Sequence, residues 1–167
     1  GNLAGAAKGA DVLIGVSGPR LFTKDIMESM APKAVVFALA NPVPETTYEE
    51  AKAAGVLVAG TGRSDAPNQV NNVCVFPGIF RGALAVRASA ITEEMKVAAV
   101  RAIADLIPED ELREDYVVPG AFDRRIVPAI AGAVAKVAMS AGIARLKREV
   151  QDIEKEAAER VLHNWNA

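Results

Sequence analysis

The chain has 167 residues, a formal net charge of −2 and a single cysteine, Cys74. That length can enclose a real core, while the charge offers no electrostatic grip on nucleic acid or an anionic membrane surface. One cysteine excludes an internal disulfide and a cysteine-built metal cluster. No apolar run is long enough to cross a bilayer, and no charged-then-apolar signal segment opens the chain. A lone thiol suits a reducing compartment, so a cytoplasmic location is expected.

Residues 11–16, 34–40 and 56–59 read as strands. Their apolar residues are consecutive instead of alternating, the pattern of strands covered on both faces. Between the first two, residues 23–30 read as a helix. Thr23 is its N-cap, and Asp25 puts negative charge in the first turn, where the helix dipole favours it. Between the second and third, Thr47-Tyr48-Glu49-Glu50 reads as a capping box opening a short helix that Gly55 ends. Helices separating such strands imply parallel βαβ units. The expected fold class is therefore α/β, a Rossmann-like parallel sheet with helices on both faces and a helical C-terminal region.

The second half is mainly helical. Thr92-Glu93-Glu94 opens a helix that carries Val97, Val100, Ile103, Ala104 and Ile107 toward a core. Residues 116–119 form a short extended piece. Asp123 caps a long segment reaching Arg145. From Leu146 to Trp165, the residues Leu146, Val150, Ile153, Ala157, Val161 and Trp165 recur at three- and four-residue spacing. The opposite face is charged, with Glu156 placed four residues before Arg160. Packing of this stripe on its own domain is favoured over a partner helix.

Chemistry concentrates where the strands end. The first strand runs into Ser17-Gly18-Pro19, the second into Asn41-Pro42-Val43-Pro44, and the third into Thr61-Gly62-Arg63-Ser64-Asp65. In open α/β sheets, ligands bind just beyond the carboxyl ends of the strands. The third loop continues into Pro67-Asn68-Gln69-Val70-Asn71-Asn72. A carboxamide donates and accepts without carrying charge, so Asn71 and Asn72 can hold a small polyoxygenated ligand. If the following run, Val73 to Phe76, opens a buried helix, the pair sits at its N-terminus, where an anion is favoured. Taken singly, Asn-Pro and Gly-rich strand ends are ordinary turns; three in register weaken that reading. Arg63 is expected to pair with Asp65. Cys74 is expected in the core, and His163, on a charged helix, is not expected to be catalytic.

No G-x-G-x-x-G follows a strand, although a dinucleotide site normally opens with one. Three parallel strands would also leave a central strand as a raw edge. The expectation is that the chain is the C-terminal part of a longer protein.

Phe37-Ala38-Leu39-Ala40-Asn41-Pro42-Val43-Pro44-Glu45 resembles the strand-end signature of malic enzymes. Thr61-Gly62-Arg63-Ser64-Asp65, Pro67-Asn68-Gln69-Val70-Asn71-Asn72-Val73 and Phe76-Pro77-Gly78-Ile79-Phe80-Arg81-Gly82 are similar to the block that follows in the short bacterial type. Phe122-Asp123-Arg124-Arg125-Ile126-Val127-Pro128 and Ala133-Val134-Ala135-Lys136 resemble its C-terminal region. The resemblance runs to about residue 144. It implies that residues 1–145 are the C-terminal part of an NAD(P)-binding domain, with 146–167 an appended amphipathic helix.

The implied activity is oxidative decarboxylation of malate to pyruvate and CO2. It uses NAD or NADP and a divalent metal, Mg or Mn, which polarises the keto oxygen of the oxaloacetate formed first. The full-length enzyme is expected to be a homodimer. The family's Tyr, Lys and metal-binding carboxylates have no counterpart here, so no catalytic residue or metal ligand is assigned to this chain. By the family pattern, Val16, Ser17 and Gly18 line the nucleotide crevice. Asn41 lies by the nicotinamide ribose and the substrate, Gly62 lets the backbone approach the cofactor, and Asn71 and Asn72 face malate. Two other readings remain: a different Rossmann-type nicotinamide-dependent dehydrogenase, or a non-catalytic nucleotide- or partner-binding domain.

Overall fold

The computed structural model describes residues 1–165, with side chains through 163. The chain forms two compact units. The first is Gly1–Asn71 with Glu111–Val118; the second is Asn72–Asp110 with Pro119 onward.

The first unit holds α1 (Leu3–Ala7), β1 (Val12–Gly15), α2 (Lys24–Glu28), β2 (Val35–Ala38), α3 (Tyr48–Ala53) and β3 (Val58–Thr61). The three strands are parallel and lie in the order β1-β2-β3, with Val12 opposite Val35 and Val35 opposite Val58. Side chains alternate across a pleated sheet. Leu13, Val36 and Ala59 therefore share one face with Gly15, Ala38 and Thr61. Val36, Ala38 and Ala59 on that face pack with Ala7, Phe22, Met27, Ala51 and Val56 into one cluster. The opposite face is more open: Val12 and Ile14 of β1 are 52% and 59% exposed. Burial along β1 thus alternates, unlike its apolar sequence, because Val12 and Ile14 lie on the open face of the sheet.

Local signals place most of these elements. Thr47 accepts from Glu50 N–H (3.1 Å) while the Glu50 carboxylate accepts from Thr47 N–H (3.0 Å), the reciprocal box read from the sequence. Gly55 sits at φ +84°, a conformation that favours glycine, and ends α3. Thr23 precedes α2 as expected but makes no side-chain cap bond. α1 carries no apolar periodicity and was not anticipated; Asn2 caps it by accepting from Gly5 N–H at 2.9 Å. The third strand starts two residues later than read. Leu57 N–H already bonds to Ala34 C=O, but the ladder to β2 runs from Val58 to Thr61.

The second unit holds α4 (Phe76–Ala85), α5 (Glu93–Ala104), α6 (Ile126–Ser140) and α7 (Val150–Trp165), with a 3₁₀ turn at Asn72–Cys74. α6 is the central helix and packs against α4, α5 and α7. Its residues Ile130, Ala131, Val134, Ala135 and Ala138 are fully buried. Ile153 and Ala157 of α7 join the same core, so that helix packs on its own domain as favoured.

Several details differ from the sequence reading. α6 stops at Ser140 and α7 begins at Val150. The buried face of α5 is Met95 and Ala99; Val97 and Val100 are exposed. Asp123 braces the start of α6 from outside, accepting from Arg125 N–H at 2.9 Å. Glu156 pairs with Arg81 (3.0 Å) and Arg148 in place of Arg160. Residues 116–119 form no strand, only an isolated bridge between Arg113 and Tyr116. Trp165, counted in the helix stripe, has a side chain outside the described residues.

Candidate functional site

Parallel strands deliver their carboxyl ends to one edge of the sheet. β1 ends at Gly15, β2 at Ala38 and β3 at Thr61, so residues 16–18, Asn41 and Gly62 all emerge along that edge. Val16, Ser17 and Asn41 are exposed, and Gly18 and Gly62 are partly so. A side chain at Gly18 or Gly62 would meet nothing closer than 3.9 and 3.8 Å, so the backbone there is open to a large ligand.

The loop after β3 folds back on itself. Val70 N–H donates to Thr61 C=O (2.8 Å), and the Thr61 hydroxyl accepts from Arg63 N–H (3.2 Å). The carboxamides of Gln69 (3.3 Å) and Asn71 (3.1 Å) both donate to Gly62 C=O. Asn71 therefore shapes the turn that presents Gly62. Asn72 is exposed and opens the 3₁₀ turn in the second unit. The expected buried helix does not begin at Val73: α4 starts at Phe76, and Val73 and Phe76 are both exposed. The asparagine pair thus precedes the helix by about a turn.

Arg63 pairs with Asp65 through two hydrogen bonds, and each holds the other's charged form: the Asp65 carboxyl is lowered and the Arg63 guanidinium raised. Both are exposed, so this pair organises the loop and adds little stability. Cys74 is buried, as read. His163 is exposed on α7.

Two residues escaped the sequence reading. Asn68 is buried at φ +52°. It donates to Ala59 C=O (3.0 Å) and Glu114 C=O (2.9 Å) and accepts from Val117 N–H (2.8 Å). It clamps the loop to β3 and to residues 111–118. The available signal was an asparagine directly after Pro67, where a turn residue with positive φ is common. The second is Glu45, which has 0% exposure. Its carboxylate accepts from Ser17 N–H (2.7 Å), the Ser17 hydroxyl (3.2 Å) and Ala40 N–H (3.0 Å). No ion-pair partner faces it among the described residues. The sequence carried no local signal for its burial, because both strands that bond it lie outside its own turn.

Burial pushes the Glu45 carboxyl up. The N–H groups of Ser17, Ala40 and Glu45 itself, with the Ser17 hydroxyl, outweigh it and hold the group below its ordinary value. An unfolded Glu titrates near ~4.3. The stability from Glu45 is fully present above that pH and is lost as pH falls through the lower folded value. Glu45→Gln should therefore flatten the fall in melting temperature below about pH 4.5. Profiles for variant and parent that stay parallel down to about pH 3 would show that Glu45 is not an ionised, bonded group.

Among the described residues no three His, Cys, Asp or Glu side chains gather to hold a metal ion. No helix among them is long and apolar enough to cross a membrane.

Parallel βα units with polar turns along the carboxyl edge define a Rossmann-like α/β domain. The family model for the malic enzyme NAD-binding domain matches residues 5–139. The chain belongs to that family. It is similar to the bifunctional malic/malolactic enzyme of Bacillus subtilis, 56% identical across 92% of this chain and 37% of that protein. The NAD-dependent malic enzyme of Geobacillus stearothermophilus is 50% identical across 87% of this chain and 30% of its own length. The crystal structure of malic enzyme from Pyrococcus horikoshii superposes with a TM-score of 0.91 at 43% identity, covering all of this chain and 39% of that one. The chain spans about a third of the length of these relatives.

Proposed function

We propose that this chain forms the far half of the dinucleotide site, and part of the substrate site, of a malic enzyme that converts malate to pyruvate and CO2. The observation that carries the reading is the convergence of residues 16–18, Asn41 and Gly62 on the carboxyl edge of a parallel sheet, in a chain of this family. NAD or NADP, when bound, supplies the hydride acceptor. The open backbone at Gly18 and Gly62 fits a flat ribosyl-nicotinamide at close range. Asn41 orients the nicotinamide ribose and the malate hydroxyl through a neutral carboxamide, which adds no charge against a dicarboxylate. Asn71 holds the Gly62 turn from behind, and Asn72 offers its amide to the substrate. Residues 1–145 constitute the family domain in this reading and 146–167 a helix appended to it. A Mg or Mn ion, a homodimer and a cytoplasmic setting complete the proposal, with no metal ligand assigned to this chain.

Asn41→Ala in the whole protein that carries this chain tests the reading. Its side chain is exposed, so folding should be untouched. The expected loss in kcat/KM for malate oxidation is on the order of 1–3 kcal/mol, the cost of leaving a ligand group unpaired. Normal kinetics with an unchanged melting temperature would remove Asn41 from the site. Asn71→Asp is a poorer probe, because a carboxylate there would face the Gly62 carbonyl that Asn71 now donates to.

A further inference from the structure

The β1–β2 ladder closes with Leu39 N–H donating to Gly15 C=O at 2.9 Å. In register, Gly15 stands opposite Ala38. Two residues further on, the same offset of 23 sets Ser17 opposite Ala40. Bonds in a parallel ladder are slanted, so the next rung would run from the Ser17 N–H to the Leu39 carbonyl. The N–H of Ser17 donates to one oxygen of Glu45 (2.7 Å), and the N–H of Ala40 donates to the other (3.0 Å). The carboxylate takes the Ser17 N–H in place of that carbonyl and links the chain leaving β1 to the chain leaving β2.

The surroundings are built for it. A Cβ at Gly15 would lie 2.5 Å from Glu45 Cδ and 2.6 Å from Phe22 Cζ, so only glycine leaves the carboxylate its place beside β1. The backbone of the same loop is tied across twice more: Arg20 N–H donates to Pro44 C=O (3.1 Å) and Phe22 N–H to Glu45 C=O (3.0 Å). A fully buried anion with no counter-cation is costly unless several donors satisfy it. Backbone N–H groups just beyond the ends of β1 and β2, with the Ser17 hydroxyl, do so here.

We propose that Glu45 is a positioning residue. Its carboxylate wedges the carboxyl ends of β1 and β2 apart, and so sets the separation and orientation of Ser17-Gly18 and Asn41 along the rim. The wedge needs two acceptor oxygens, one for each strand. A carboxamide has one oxygen and one NH2, so Gln would set a donor against a donor on one strand or the other. Both turns would then lose their common reference, though each could still fold. The role assigned to these turns rests on the dinucleotide reading above.

The test uses the whole protein. Titration with NAD and with NADP, and steady-state kinetics, are compared for parent, Asn41→Ala, Glu45→Gln and Glu45→Asp, at a temperature where each is fully folded by circular dichroism. Amide hydrogen exchange at Ser17 and Ala40 is followed in parallel. Glu45→Gln is expected to raise the dinucleotide Kd about tenfold or more, to lower kcat as well, and to speed exchange at one or both amides. Glu45→Asp, which keeps two oxygens on a shorter arm, should fall between Gln and the parent, and it serves as the probe if the Gln variant does not fold. A change in exchange with no change in Kd or kcat makes Glu45 a purely structural brace and overturns the proposal. If Asn41→Ala weakens the dinucleotide complex while Glu45→Gln binds like the parent, the wedge is wrong and the dinucleotide site stands. A parent that binds neither dinucleotide overturns both.

Discussion

Asn68→Ala is expected to cost the first unit about 4 kcal/mol, at the severe end for a single substitution. Three hydrogen bonds vanish together, those to Ala59 C=O, Glu114 C=O and Val117 N–H. Each buried partner left unpaired costs roughly 1–3 kcal/mol, and water reaching the more open side returns part of that. Alanine at φ +52° adds about 1–2 kcal/mol of backbone strain that asparagine tolerates. Related substitutions separate the terms. Asn68→Gly relieves the strain but not the lost bonds, and should recover about 1 kcal/mol. Asn68→Asp keeps the acceptor for Val117 but turns an oxygen toward two carbonyls, so it should be no milder than alanine. Hydrogen exchange should place the loosening at residues 59–70 and 111–118. A loss below about 1 kcal/mol for Asn68→Ala would mean that the clamp is already solvated. The consequence for function is direct, since the clamped loop presents Gly62.

Gly82→Ala is expected to destabilise the second unit by about 3 kcal/mol, the upper range for overpacking. A Cβ at Gly82 would lie 2.5 Å from the carbonyl oxygen of Ala131 and 3.0 Å from both its Cα and Val134 Cβ. The obstacle is largely the backbone of α6, which cannot rotate away, so α4 must shift from the helix on which it rests. Gly132→Ala provides the contrast. The three atoms nearest its new Cβ all belong to the Glu154 side chain, which can swing aside, and alanine gains helix propensity of up to ~1 kcal/mol. Gly120→Ala, with nothing within 4 Å, is the neutral control. Urea unfolding of the variants gives the order directly. Equal losses for Gly82 and Gly132 would show that α4 and α6 are free to slide.

The sequence carried much of this molecule. Consecutive apolar residues ending in polar turns pointed to a parallel α/β arrangement, because buried strands need no alternation and parallel neighbours need a crossover, usually a helix, to return the chain to the same end of the sheet. The Thr47 capping box and the Gly55 stop are local events within one turn of chain, and both formed as read. The ordered motifs from Phe37 to Gly82 were enough to point to the family, since such motifs combine many residues.

Tertiary structure decided the rest. Nothing local distinguishes Val12 and Ile14 from Val36; their exposure follows from the register, which puts them on the open face of the sheet and Val36 on the covered one. The same holds on α5, where Val97 and Val100 face outward because the stripe that joins the core with α6 carries Met95 and Ala99 instead. Among three carboxamides of one loop, geometry alone assigned Asn68 to a clamp and Gln69 and Asn71 to the Gly62 carbonyl, whereas the pairing of Arg63 with Asp65 was legible in the sequence. A carboxamide in sequence advertises hydrogen bonding but not its partner. Glu45 shows the limit most clearly. Its partners, Ser17 and Ala40, are 28 and 5 residues away. A charged side chain reads as solvent-facing until the register of two strands places both of their N–H groups upon it.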